Sequence, residues 1–334
     1  MHLAEPYGPD PAGMICGYVF SPNAPARPIG SAEALEWLRA TPAGEFIWLH
    51  FNLAHAAADK WLHQNLQLSE TFFETLREES RSTRIEHADD SLVAVVNDVL
   101  FDFSLDAPDI ATLWLSADPR VLVSARKKPL RSIDQLRASV KQGKEYRSPT
   151  ELLVWLMRDQ GEVLERIVRD ATQKIDTIED RLLAERIDAK RADIGTLRRV
   201  LVRLQRLLAP EPAALFRLLN RPPGWIAESD IQELRESTEE FATVLGDMAG
   251  LLERIKLLQE EIAAMTAEQN TRSLFVLTIV TVLALPINII AGLLGMNVGG
   301  IPLAKDDYGF WIIVGIVATF TVVAVWIAFL RRRD

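Results

Sequence analysis

From residue 274 to residue 330 the chain carries charge at only three positions, Lys305, Asp306 and Asp307. They lie between two uncharged apolar runs, "LFVLTIVTVLALPINIIAGLLG" at 274–295 and "GFWIIVGIVATFTVVAVWIAFL" at 309–330. Each run is long enough to cross a hydrocarbon core of ~30 Å as a helix. A buried hairpin in a soluble domain rarely supplies two such runs. Arg272 precedes the first and three arginines at 331–333 follow the second. The positive-inside rule therefore predicts both flanks, and both termini, in the cytoplasm. Trp311 and Trp326, near opposite ends of the second run, suit interface anchors. The expected layout is a first transmembrane helix at 274–295, an outer loop at 296–308, a second helix at 309–330 and a basic tail at 331–334.

Charge divides the same way. The 334 residues sum to −9, and the part from 274 onward carries four basic and three acidic residues, so the first 273 carry −10. Such an acidic body does not suit nucleic acid, which needs clustered Lys and Arg. It does suit a partner made of cations. The single cysteine, Cys16, excludes an intramolecular disulfide and fits a reducing compartment. The opening "MHLAEPYGPDPAG" has neither the basic nor the apolar region of a signal peptide.

Residues 1–147 read as a cytoplasmic α/β domain. The stretches 13–20, 45–52, 91–101 and 111–127 are rich in Val, Ile, Leu and aromatics, as strands are. "ADPR" inside the last predicts a hairpin turn. "SAEALEWLRA" and "SETFFETLREES" read as helices, each opening on a serine able to cap free backbone N–H groups. Residues 148–227 read as a charged helical hairpin, ended by "NRPPGW", where two prolines forbid continuation. From 228 no proline occurs until Pro286. Phe241, Met248, Ile255 and Ile262 recur every seven residues, as do Val244, Leu251, Leu258 and Met265, a pattern that demands helix-on-helix packing. A stalk helix at 228–273 running unbroken into the first apolar run would be roughly 100 Å long.

The first apolar run has a wet side. Thr271, Thr278, Leu285 and Gly292 form one row spaced by seven, and Leu274, Thr281, Asn288 and Gly295 another. At 100° per residue the eight positions fall within ~120° of arc and collect every Thr, Asn and Gly of the run. In lipid such a face turns to a partner or to water. Two spans cannot enclose a pore, but several copies about one axis can, and packing seam and pore then coincide.

Gly295-Met296-Asn297 at the outer end of a C-terminal helix pair resembles the CorA family of divalent metal-ion transporters. The likeness extends to the α/β domain, the charged helical pair, the breaker, the long helix, the "LP" at 285–286 and the basic tail. "VGGIP" at 298–302 is similar to the zinc-transporter (ZntB) branch of that family. Magnesium-transporting members more often place an aromatic before the tripeptide, where this chain has Leu294. The resemblance implies a homopentameric funnel in the bilayer of a bacterial inner membrane, with no enzyme activity and no cofactor. The transported ion is zinc by the branch, with magnesium, cobalt, nickel and cadmium as alternatives. It places Thr271, Leu274, Leu277, Thr281, Leu285, Asn288, Gly292, Gly295 and Asn297 on the pore. Leu277 stands there in place of Thr278 of the rows.

The chemistry at Asn297 follows from hydration. A divalent cation gives up its water reluctantly, and a neutral carboxamide accepts from that water without gripping the ion. Glycines at the mouth would let the backbone turn sharply. Asp306 and Asp307 would concentrate cations in the outer loop, or merely keep it soluble. Leu274, Leu277 and Leu285 would close the path by dewetting. Zinc prefers Cys and His, and the spans hold neither, nor any group fit for a proton relay. The histidines His2, His50, His55, His63 and His87 have no metal-binding spacing, and "HADD" at 87–90 reads as a turn. A regulatory metal site built on Cys16 or on Asp176, Glu179 and Asp180 is the lesser reading. Three functions compete: zinc uptake, with proton coupling suggested by the branch; a magnesium or cobalt channel, or zinc efflux; and a membrane-anchored coiled-coil scaffold, which would need no polar face.

Overall fold

The computed structural model describes residues 9–40, 42–78, 83–88, 90–100, 110–183, 191–296 and 307–330. Two compact units divide it, 1–257 and 258–334.

The first unit is built on a seven-stranded sheet. Its strands are β1 (Met14–Phe20), β2 (Arg27–Pro28), β3 (Phe46–Asn52), β4 (Arg84–Ala88), β5 (Ser91–Val99), β6 (Ile110–Ala117) and β7 (Val121–Arg126), in the order β2-β1-β3-β7-β6-β5-β4. Only β3 and β7 pair in parallel. The expected hairpin joins β6 to β7, where the Asp118 carboxylate takes the N–H groups of Arg120 and Val121, each at 2.7 Å. Gly13, at φ +84°, leads into β1; a Cβ there would lie 2.8 Å from that of Ala58. Both demands select glycine.

Alternation along each strand serves two cores. Odd positions such as Ile47, Leu49, Phe51, Val93, Val95 and Val123 pack beneath α1 (Ser31–Ala40), α2 (Ala56–Asn65) and α3 (Glu70–Arg77). Even or complementary positions such as Trp48, Ala94, Val96 and Leu122 face α4 (Arg131–Lys141), α5 (Pro149–Leu183) and α7 (Pro210–Asn220). Ser69 caps α3 as expected, accepting from the Phe72 N–H. Ser31 does not act as a cap. It lies inside α1, its own N–H is donated to Asp10 at 3.3 Å, and Glu33 reaches back to the Gly30 N–H. Two carboxylates thus answer the helix end that a serine was expected to serve.

Three helices rather than a pair occupy the described part of 148–227: α5, α6 (Arg191–Leu208) and α7. Ser148 caps α5 by accepting from the Glu151 N–H at 3.0 Å. Pro210 begins α7 because proline at the first helical position forfeits an N–H that has no helical partner anyway. After the "NRPPGW" break, α8 runs from Glu228 to Leu294 as one helix of 67 residues that contains Pro286. Phe241, Met248, Ile255 and Ile262 are all buried, as the heptads require. Arg254 of α8 donates to Asp176 and Glu179 of α5.

The second unit holds the C-terminal part of α8 and α9 (Gly309–Leu330).

Candidate functional site: the outer half of the long helix

The apolar end of α8 is uncovered within the chain. No residue of its most apolar 18-residue window is buried, and Leu274, Leu277, Leu285 and Leu293 are each more than half exposed. Fully exposing a leucine or valine costs roughly 1.5–3 kcal/mol, so this surface suits lipid or a packed partner better than water. By length and composition α8 can cross a membrane. Within α9, the stretch Gly309–Ala324 is apolar but shorter.

The polar residues on this helix keep their hydroxyl protons busy. Thr271 donates to the Ala267 carbonyl at 2.9 Å, Thr278 to Leu274 at 2.8 Å and Thr281 to Leu277 at 2.9 Å. Such back-bonding satisfies the donor and leaves oxygen lone pairs pointing outward. The row therefore presents acceptors, which suits hydrated cations. Pro286, lacking an N–H, frees one more acceptor, the Val282 carbonyl. Asn288 is exposed.

At the outer end Gly295 continues the helical pattern, donating to Ala291 at 2.9 Å. Neither Gly292 nor Gly295 takes a positive φ. The sharp turn expected at the mouth glycines is thus not made at Gly292 or Gly295; Gly299 and Gly300 lie outside the described residues. Met296 is half exposed and closes the helix end. Asn297 and Asp306 lie outside the described residues; Asp307 is exposed in a turn before α9.

Several residues considered for a cytoplasmic metal site are engaged otherwise, while Asp180 is exposed and His2 lies outside the described residues. Asp176 and Glu179 are bound by Arg254. Burial pushes the Cys16 thiol up to about 12, far from a thiolate. His55 caps α2, His63 stacks on Phe73 with ring centroids 3.6 Å apart, and His87 is exposed on β4.

His50 belongs to a buried network that the histidine spacing did not reveal. Its Nδ1 lies 2.8 Å from Ser124 Oγ, which also accepts from Trp48 Nε1 at 2.8 Å, and Arg126 Nε donates to its Nε2 at 3.0 Å. Because Nε2 accepts, the proton sits on Nδ1. The signal was present as parity: Trp48 and His50 share a face of β3, Ser124 and Arg126 a face of β7, and these strands neighbour one another. Burial first, and then Arg126, hold the His50 pKa well below 6.5. A base depressed in this way stabilises the fold above its unfolded value of about 6.5, and that stability is lost as pH falls. Acidifying from pH 6.5 to 5 is expected to lower unfolding free energy by up to ~1.4 kcal/mol per pH unit through this group. Chemical denaturation across that range, compared with His50→Gln, reads this contribution as the difference in slope.

The class of protein now follows. The chain belongs to the family described as CorA-like Mg2+ transporter protein, whose profile matches residues 43–332. Among individual relatives, it is 30% identical over 329 residues to the divalent cation transporter CmaX of Pseudomonas aeruginosa, with 97% of each chain covered. It is similar to the solved structure of full-length CmaX with a TM-score of 0.82 at 29% identity, covering 97% of this chain and 99% of that one. To the zinc transport protein ZntB of Yersinia enterocolitica it is 26% identical over 263 residues, covering 79% of this chain and 80% of the relative.

Proposed function

We propose that this chain is a divalent cation transporter whose copies, five about one axis, place the acceptor row of α8 around a shared path through a bacterial inner membrane. Both apolar helices cross the bilayer in this reading, with the N-terminal unit and the basic tail in the cytoplasm. The observation that carries it is the uncovered, membrane-length end of α8, whose threonines keep their donors for the helix and their acceptors for the outside. A scaffold would gain nothing from that face.

The ion enters hydrated. Asn297 side chains at the mouth accept from its water shell, with Gly295 and Met296 ending the helix beneath them, and Asp306 and Asp307 raise the local cation concentration. Thr281 and Asn288 offer oxygen further in, and Leu274, Leu277 and Leu285 close the path when dry. Thr271 and Gly292 complete the row. Zinc uptake is the preferred cargo reading on the "VGGIP" resemblance. The magnesium or cobalt reading is favoured by the family description and by the broader name of CmaX, a divalent cation transporter.

Uptake into proteoliposomes, comparing zinc with magnesium and with or without a pH gradient, tests this proposal. Zinc entry above magnesium, enhanced by a gradient, is expected. Magnesium flux far above zinc selects the second cargo, and no flux of either removes the transport reading.

A further inference from the structure

Glu211, in the first turn of α7, is completely buried, and among the described residues neither of its carboxyl oxygens meets a donor. Asp98, near the end of β5, is 2% exposed but well served: Ser132 donates from its N–H at 3.0 Å and its hydroxyl at 2.6 Å, and the Val99 N–H at 2.7 Å. On α5, Asp159 has an inner oxygen without a donor. Gln160 beside it is buried, gives its amide N–H to the Asn97 carbonyl, and leaves its own amide oxygen unmet. Four enclosed oxygens, on Glu211, Asp159 and Gln160, are therefore all acceptors in want of hydrogen.

An ionised carboxylate in such a place must be paired, hydrogen-bonded or neutralised. Asp98 has the donors that an anion needs, and among the described residues Glu211 has none. Burial, and then Asp98, hold Glu211 well above 4.5. Burial first, then Asp98 and Glu162, raise Asp159 to about 6, against Arg131 and Arg166. The other charged groups on elements packed against α7 are engaged elsewhere or at least partly exposed, and on α8 the buried Asp230 accepts from the Ser148 hydroxyl. On β4, Arg84 pairs with Glu86 at 2.8 Å and His87 is exposed; on α6, Arg206 is exposed and Arg203 half-exposed. Among the described residues, Asp98 is the one charged group that acts on Glu211.

We propose that Glu211 is a proton-operated latch: protonated, it lets the first turn of α7 seat on the β4–β5 edge of the sheet, and ionised, it releases that turn. The seat matters beyond α7. Leu215, Leu218 and Leu219 of α7 share one core layer with Ile231 and Leu234, in the first two turns of α8. Loosening α7 thus loosens the footing of the long helix, and the cytoplasmic unit responds to alkalinity through a carboxyl that touches no transported ion. The sign is fixed by linkage: an acid whose closed-state affinity for its proton exceeds the open-state one favours closure at low pH and opening as pH rises.

Hydrogen–deuterium exchange of the full chain in lipid nanodiscs, from pH 5.5 to 8 and corrected for intrinsic exchange, reads the latch. Protection of α7 and of the end of β5 is expected to fall as pH rises, by up to about tenfold per pH unit, the limiting signature of one proton lost per opening. Glu211→Gln, neutral at every pH, is expected to abolish that slope, and Asp159→Asn to leave it. A wild type whose protection ignores pH overturns the proposal. So does a slope that survives in Glu211→Gln, or one that vanishes in Asp159→Asn alone. Should Glu211→Gln fail to fold, the wild-type slope and the Asp159→Asn control still decide.

Discussion

Replacing Asn297 by alanine is expected to reduce divalent cation uptake at least about tenfold while leaving the protein folded. The argument is one of hydration. A methyl group cannot accept from the water shell, so the hydrated ion at the mouth would lose that hydrogen bond without compensation. Losing a hydrogen bond to a charged, hydrated group costs ~1.5–3 kcal/mol, and ~1.4 kcal/mol is already tenfold in a rate or affinity. In a ring the loss repeats in every copy. The check is initial uptake rate in proteoliposomes, with assembly followed by size-exclusion chromatography. Asn297→Asp separates two roles: it keeps the acceptor and adds charge, so it is expected to bind ions more tightly and release them more slowly. Unchanged flux in the alanine variant would take Asn297 out of the site.

Trp48→Ala is expected to have the largest effect on stability. The indole is fully buried, lies 5.8 Å from the Tyr18 ring in a stacked pair, and donates to Ser124. Truncating a buried aromatic costs about 3–5 kcal/mol through lost burial and the cavity left behind. Here it also strips Ser124 of a donor within the His50 network, a further ~1 kcal/mol. Unfolding of the N-terminal unit should shift down by roughly 10 °C or more, since 1 kcal/mol moves a unit of this size by ~2–4 °C. Trp48→Phe, which keeps most of the volume, should lose about half as much. Equal losses in the two would show that the hydrogen bond and not the packing dominates.

Different physics acts on the two ends of the chain, and this decides what could be read without coordinates. A lipid-facing helix must satisfy its own backbone and expose apolar side chains over a fixed thickness. Those demands are local, so composition alone shows the apolar runs at 274–295 and 309–330. The heptads of α8 are local as well. Phe241, Met248, Ile255 and Ile262 are buried where their spacing predicts, because a helix repeats its faces at a constant angle. Strands β1, β3, β5, β6 and β7 and the β6–β7 hairpin were legible for the same reason, because β-forming composition and an Asp-Pro turn act over a few residues, whereas the short β2 and the polar β4 carry no such run.

The buried polar centres were not legible. His50, Ser124 and Arg126 are separated by more than seventy residues and meet only because β3 lies parallel to β7. Asp98, Asp159 and Glu211 come from a strand and two helices. In the sequence each is an ordinary acid in a charged neighbourhood. Ser31 shows the same limit on a smaller scale, since Asp10, twenty-one residues away, supplies the acceptor. The sequence by itself carried a family resemblance in its motifs, and it determined a membrane-length polar-edged helix and a stalk of buried heptads, both set by short-range periodicity. Only the tertiary structure decided which charges are enclosed and which are answered, because burial and pairing are properties of neighbours that chain distance does not specify.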